Sequence, residues 1–185
     1  MNPQEQLQRF LVYVLRHNPD ELGLSLNKDG FVKITEILQQ LQKSEKYRNV
    51  TEQAIRNAVA AQPNKQRLQI EGDLLRACYG HSSTAIDEIE YLPVNPPQYL
   101  FHGTAIRHLI SIRQSGLLPV TRKFVHMTDS REQAQSVALR HSKEIVILTI
   151  LCDEAKSAGL SFYNPEPNIW LAKQIPPQYI KFPAQ

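Results

Sequence analysis

The side chains best suited to chemistry are six histidines and a few arginines, scattered along a chain of 185 residues. His102-Gly103-Thr104 follows the apolar pair Leu100-Phe101. His102 and Thr104 can each donate and accept hydrogen bonds, and Gly103 lets backbone approach a bound group closely because it carries no side chain. Arg16-His17 stands just before Asn18-Pro19. Cations there are ordinary complements to a helix dipole. Gly80-His81-Ser82 reads either as a structural turn with a surface histidine or as a polar contact to an anion. Arg122 and Lys123 precede Phe124-Val125-His126. His17, His81, His102, His108, His126 and His141 show no H-x-x-x-H or H-E-x-x-H spacing, which argues against a metal site. No G-x-G-x-x-G, P-loop or nucleophile elbow is present.

The elements that must position these groups divide into two halves. In the first, Asn2 is suited to cap a helix with Pro3 in its first position and Glu5 completing a capping box. Leu7, Phe10, Leu11 and Val14 form its apolar face. Leu22 to Leu26 is expected as a short strand, followed by a turn at Lys28-Asp29-Gly30. Thr35 opens a second helix with Ile37, Leu38 and Leu41, and Thr51 caps a third with Ile55, Val59 and Ala60, ending at Pro63-Asn64. Arg67-Leu68-Gln69-Ile70 and Leu74-Leu75-Arg76-Ala77 flank Glu71-Gly72-Asp73 as a hairpin. Three helices and a hairpin make the winged-helix pattern. The third helix carries only Arg56 as a cation, so nucleic acid would be gripped by its backbone rather than read base by base.

Three prolines between Leu92 and Gln98 fit a stiff connector, which sets a boundary near residue 95. Beyond it, strands are expected over Tyr99 to Thr104, Thr121 to Thr128, Glu144 to Ile150 and Tyr179 to Phe182, with helices over Ala105 to Ser115, from Asp129 or Ser130 through Ala138, and Asp153 to Ala158. The overall class is α+β.

Hydrophobic residues make up 42% of the chain, enough for two small cores, and net charge is +3 with pI near 8.9. Residues 1–92 hold 11 Lys/Arg against 12 Asp/Glu, whereas residues 93–185 hold 10 against 6. An anionic partner is permitted but not required by these charges. Cys78 and Cys152 lie too far apart for a metal motif and read as reduced thiols. No apolar run approaches the roughly 18 residues that span a bilayer, and the N-terminal stretch has no signal-peptide pattern, so a cytoplasmic protein is expected. Nothing in the sequence demands more than a monomer.

Taken in order, these motifs resemble the RNA 2′-phosphotransferase family, also called tRNA 2′-phosphotransferases. Leu15-Arg16-His17 after Phe10-Leu11-x-Tyr13-Val14 looks like its first signature. Lys65-Gln66-Arg67, Gly80-His81-Ser82, His102-Gly103-Thr104, Arg122-x-x-Val125-His126 and Asn168-Ile169-Trp170-Leu171 look like the later ones, in the same order. The resemblance implies a winged-helix RNA lobe over residues 1–94 and an ADP-ribosyltransferase-like mixed α/β lobe over 95–185 that binds NAD. It further implies a two-step reaction without metal. The internal RNA 2′-phosphate displaces nicotinamide from NAD to give ADP-ribosylated RNA. The ribose 2″-hydroxyl then attacks phosphorus, releasing 2′-hydroxyl RNA and ADP-ribose 1″,2″-cyclic phosphate.

The family's catalytic set maps onto Arg16, His17, Arg67 and Arg122. Guanidinium groups offer forked donors to phosphate oxygens and stay charged, and His17 takes a proton-transfer or phosphate-contact role. Its NAD signature falls on His102, His126 and Ile169, with Gly103, Thr104 and Thr128 beside them. The apolar Ile169 argues against enzymes that use a glutamate to activate a neutral acceptor. RNA contacts are carried over to Arg76, Gly80, His81 and Ser82. The sequence departs from the family where Leu74-Leu75-Arg76 keeps one arginine of a usual pair, where Tyr79 replaces a common Gln, and where Met127-Thr128 replaces Leu-Ser. Two other readings are an ADP-ribosyltransferase acting on phosphorylated nucleic-acid ends and a non-enzymatic winged-helix regulator that senses NAD.

Overall fold

Asn2 accepts the Glu5 amide on its side chain at 2.8 Å, and helix α1 runs from there over Pro3–His17. The computed structural model describes residues 2–61, 66–82 and 91–183. Pro63-Asn64, Lys65 and Asp87 to Glu90, read above as a helix end, part of a motif and a linker, lie outside the described residues. Two compact units result, Met1–Glu90 and Tyr91–Gln185.

In the first unit α1 buries Leu7, Leu11, Val14 and Leu15. Asn18-Pro19 ends it and starts a 3-10 turn over Pro19–Leu22. The strand expected over Leu22 to Leu26 does not form. Gly23 takes a left-handed φ of 58°, and its amide and that of Leu24 both fold back onto the Pro19–Asp20 carbonyls. Leu24 is buried nonetheless, so the apolar signal was real and the backbone assignment was not. Strand β1, Val32–Lys33, precedes α2, Ile34–Leu41, and α3, Glu52–Ala60, is capped by Thr51 through the Ala54 amide. Strands β2, Leu68–Glu71, and β3, Leu74–Ala77, form the hairpin, and β1 adds to it in the order β1-β3-β2. Ile37, Leu41, Ile55, Leu68 and Leu75 are sealed from solvent in one core with the α1 face.

The second unit is built on strand β4, Tyr99–Ala105. His102-Gly103-Thr104 lies within this strand, paired with Leu148, Ile147 and Val146. A 3-10 turn over Ile106–His108 leads into α4, Leu109–Ser115, which stops at Gly116 with φ 76°. Then come β5 (Val125–Met127), α5 (Arg131–Ala138), β6 (Ile145–Leu151), α6 (Cys152–Ser157), β7 (Tyr163–Glu166), β8 (Ile169–Ala172) and β9 (Ile180–Lys181). One antiparallel sheet has the order β4-β6-β9 and another β5-β8-β7. Mixed helices and small antiparallel sheets make the chain α+β. Phe101 and Thr128 join the two sheets by exchanging backbone bonds of 2.7 and 3.0 Å. Leu100, Leu148, Ile150 and Phe162 form the core beneath.

Candidate active site

The first constellation gathers at the last turn of α1. Arg16 and His17 are half-buried there. The chain returns to this place after β3. Cys78 donates its amide to the Arg67 carbonyl at 3.0 Å, Tyr79 lays its ring 4.4 Å from the Arg16 guanidinium, and Ser82 donates its amide to the Arg16 carbonyl at 2.9 Å. The Ser82 hydroxyl reaches the same carbonyl at 3.4 Å. Gly80 makes this return possible: its φ of 81° lies in the left-handed region, where a side chain is costly. His81 is 4% exposed, so the surface-histidine reading of that turn is wrong; it is an interior residue. Arg67, by contrast, is exposed at the entry to β2. Gly80-His81-Ser82 thus comes together with Arg16, and one hydrogen bond away from Arg67's backbone.

Arg76 is placed differently. Its Nε and one terminal nitrogen bond Gln69 Oε1 at 2.9 and 2.7 Å, the other reaches the Asp29 carbonyl at 3.4 Å, and its plane lies 4.5 Å from the Phe31 ring. Its donors tie β3 to β2 and to the turn before β1. Tyr79 is the residue sequence reasoning undervalued. An aromatic ring over a guanidinium fixes the direction of its donors without consuming them, and no spacing rule in the sequence links residue 79 to residue 16.

The second constellation sits on β4 and β5. The His102 ring donates from Nδ1 to the His126 carbonyl at 2.8 Å, because a carbonyl oxygen can only accept. Its Nε2 is then an acceptor. Burial lowers the His102 pKa below the usual value of 6.5, opposed by that same backbone bond, so the ring is neutral at physiological pH. His126 repeats the arrangement, donating from Nδ1 to the Phe124 carbonyl at 3.1 Å. Both rings are therefore oriented by backbone carbonyls at and just before β5.

Alternation along β4 assigns the rest. Phe101 turns its peptide groups toward Thr128, so Gly103, two residues on, turns its N–H and C=O to the same side. There β5 has stopped pairing with β4, since the His126 carbonyl is taken by the His102 ring instead. The Gly103 peptide consequently faces a split between strands. A side chain on Gly103 would meet the Ala134 carbonyl oxygen at 2.3 Å and Ala138 Cβ at 2.8 Å. The glycine is required by helix α5 on one face of the sheet, while His102 and Thr104 project from the other. Thr104 Oγ1 lies 3.2 Å from His108 Nδ1. Thr128 is buried, and its hydroxyl accepts the Ser130 amide at 3.2 Å. His126 pairs with Leu171 and Met127 with Trp170, so one further step sets buried Ile169 opposite Thr128. Arg122 is exposed in the loop before β5. Among the described residues no group of three or more His, Cys, Asp or Glu could hold a metal ion, and no helix is long and apolar enough to cross a membrane.

Comparison with known proteins gives a consistent picture. The model of the RNA 2′-phosphotransferase, Tpt1 / KptA family matches residues 2–174. A probable RNA 2′-phosphotransferase of Acaryochloris marina is 38% identical over 174 residues, covering 94% of this chain and 93% of that one. One from Acetivibrio thermocellus is 37% identical, with 96% of each chain covered. One from Thermococcus kodakarensis is 33% identical, covering 97% of this chain and 98% of that one.

Proposed function

The chain belongs to the RNA 2′-phosphotransferase, Tpt1 / KptA family, and from that premise we propose that it removes an internal 2′-phosphate from RNA with NAD as co-substrate. The observation that carries the reading is the return of Gly80-His81-Ser82 to the end of α1, where Ser82 and Tyr79 fix Arg16 beside His17. Residues 66 positions apart are thereby joined around a group suited to a phosphate.

In this reading the first unit is a winged-helix RNA lobe and the second an ADP-ribosyltransferase-like lobe. Arg16, His17, Arg67 and Arg122 are the catalytic groups. The arginines supply fixed positive donors where charge grows on phosphorus, which needs no reorganisation during reaction. His17 holds or moves a proton at the phosphate or at the attacking hydroxyl. The Gly80-His81-Ser82 turn meets the RNA, with the buried His81 positioning the turn from inside. Arg76 shapes the hairpin, and its contact to RNA is limited by the protein acceptors it already serves.

The residues of the second unit fit NAD. His102 offers an Nε2 acceptor to a ribose hydroxyl, and Thr104 stands two residues along on the same face. The Gly103 peptide, facing the split between β4 and β5, matches the donor and acceptor of a carboxamide. His126, Thr128 and Ile169 complete that wall. When bound, NAD supplies an electrophilic ribose carbon and a leaving group, nicotinamide. A neutral wall suits this, since the incoming phosphate is already anionic and needs no carboxylate to activate it.

The direct test incubates the protein with 2′-phosphorylated RNA, with and without NAD. Appearance of 2′-hydroxyl RNA and free nicotinamide only with NAD supports the reading. Accumulation of a 2′-phospho-ADP-ribosylated RNA end product, or NAD-independent loss of phosphate, overturns it.

A further inference from the structure

Gln6, Phe10, Tyr13 and His17 recur at intervals of four, three and four residues, so they form one stripe along α1. The stripe is aromatic where it nears His17. The Tyr13 and His17 rings are 6.2 Å apart, and Tyr13 is 44% exposed. Phe10 stacks at 4.8 Å and 22° on Tyr47, which the loop after α2 brings across from outside the helix. Lys46 Nζ stands 5.0 Å over the Tyr47 ring. Beyond this stack lies a cavity of about 440 Å³, whose lining includes Gln4, Gln6, Lys46, Asn49 and Asn57.

A purely structural stack would be covered, and its neighbourhood would be apolar. Here Phe10 and Tyr47 lean on the core, but the terminal ring, Tyr13, is exposed, and the Lys46 cation lies over Tyr47. Four side-chain amides stand among the apolar residues Pro3, Leu7, Val50 and Ala54 that line the cavity. Amides carry both donors and acceptors, the complement of base edges. Sequence-tolerant stacking of unpaired bases on aromatic rings, with cations beside them, is how single-stranded RNA is held. From His17 to Gln6 the helix advances about 16 Å at 1.5 Å per residue. A strand rising about 3.4 Å or more per nucleotide covers that in roughly five nucleotides or fewer.

We propose that Tyr13, Phe10 and Tyr47, with the cavity beyond them, form a track for unpaired bases of the RNA strand whose 2′-phosphate lies at Arg16 and His17. The inference rests on the proposed function for the position of that phosphate, but the track itself requires only single-stranded RNA. It makes the first unit a reader of structural context: a phosphate in an unpaired stretch is preferred over one within a duplex.

Fluorescence anisotropy at fixed salt, with a 2′-phosphorylated dinucleotide and a 2′-phosphorylated heptanucleotide, tests it. Wild-type protein should bind the heptamer more than tenfold tighter. In Tyr13→Ala that gain should shrink about five- to tenfold, as expected for one stacked base, and Tyr13→Trp should restore it. Lys46→Ala should reduce the gain by a smaller factor. Absence of any length gain in wild type, or a gain unchanged in Tyr13→Ala, overturns the track. If an unphosphorylated heptamer shows the same gain and the same Tyr13 dependence while the two 2′-phosphorylated oligonucleotides lose no phosphate with NAD, the track stands and the phosphotransferase reading fails.

Discussion

The two units solve opposite electrostatic problems. At the end of α1 a permanent cation, Arg16, is steered by an aromatic ring and by backbone, and its charge is kept. On β4 and β5, two imidazoles are steered by the carbonyl oxygens of His126 and Phe124, and burial keeps at least His102 uncharged. Charge held ready suits an anion that must be bound and then stabilised as its charge redistributes. Neutral hydrogen-bonding groups suit a ligand that has to be oriented and carries its own leaving group. The same residue type, histidine, is an interior partner in one unit at His81 and a fixed acceptor in the other at His102.

Removing the charge side should have the largest effect. Arg67→Ala and Arg122→Ala should each lower single-turnover release of 2′-hydroxyl RNA by at least about a hundredfold, in line with loss of a preorganised donor. Both arginines are exposed, so thermal stability should be unaffected. Wild-type rates in both variants would remove them from the catalytic set.

Next comes the neutral side. His102→Ala should raise KM for NAD by about ten- to a hundredfold while leaving affinity for phosphorylated RNA unchanged, since only a hydrogen bond on the proposed NAD wall is lost. The pH dependence carries the sign. With its folded pKa below 6.5, His102 binds fewer protons folded than unfolded once pH drops under that value. Its contribution to stability is therefore complete above 6.5 and lost as pH falls toward the folded pKa. Urea titrations from pH 7.5 to 5 should show a shallower acid decline in His102→Gln than in wild type.

The two supports of these groups should matter less. Gly103→Ala must push α5 from β4, because the new carbon would overlap a backbone oxygen rather than a flexible side chain. A destabilisation of about 1–3 kcal/mol is expected from thermal or denaturant unfolding, with activity lost in parallel. Tyr79→Leu should reduce kcat/KM by about three- to thirtyfold by loosening Arg16, with Tyr79→Phe near wild type, as a cation–π contact predicts. The smallest effect concerns Cys152, whose thiol is pushed up to about 12 by burial. Alkylating reagents at pH 7 should leave it unmodified in the folded protein, as mass spectrometry of the peptide would show.

Local rules read the helices well. Asn2 with Pro3, Thr51 and Ser130 each announce a helix, and each side chain accepts an amide three residues ahead. The hairpin was legible from Gly72, whose φ is 62°. The short pieces were not. Val32–Lys33 is too brief for alternation to register and is a strand only because β3 pairs with it. The run Leu22 to Leu26 alternates well enough for a strand, yet Pro19 and Gly23 curl it into a turn. For the site, residue types were readable and arrangement was not. That Gly103's missing carbon serves α5 depends on packing between segments about 30 residues apart. The ring of Tyr79 on Arg16 is equally a product of folding, since neither residue's local sequence refers to the other.

The pairing of β4 with β6 joins Tyr99 to Leu151 and Ala105 to Ile145, and β5 meets β8 across a comparable stretch of chain. Such ladders cannot start until a long loop has closed, which makes them slow to form. The first unit closes only one such ladder, the two-residue pairing of β1 with β3, and otherwise relies on a tight hairpin and neighbouring helices, its last described residue being Ser82. On a ribosome, the arginine-bearing unit should therefore reach its native form while β6 and β8 are still unmade. Pulse proteolysis of stalled chains ending just before Ile145 would find residues 2–61 and 66–82 protected and β4 still open to cleavage.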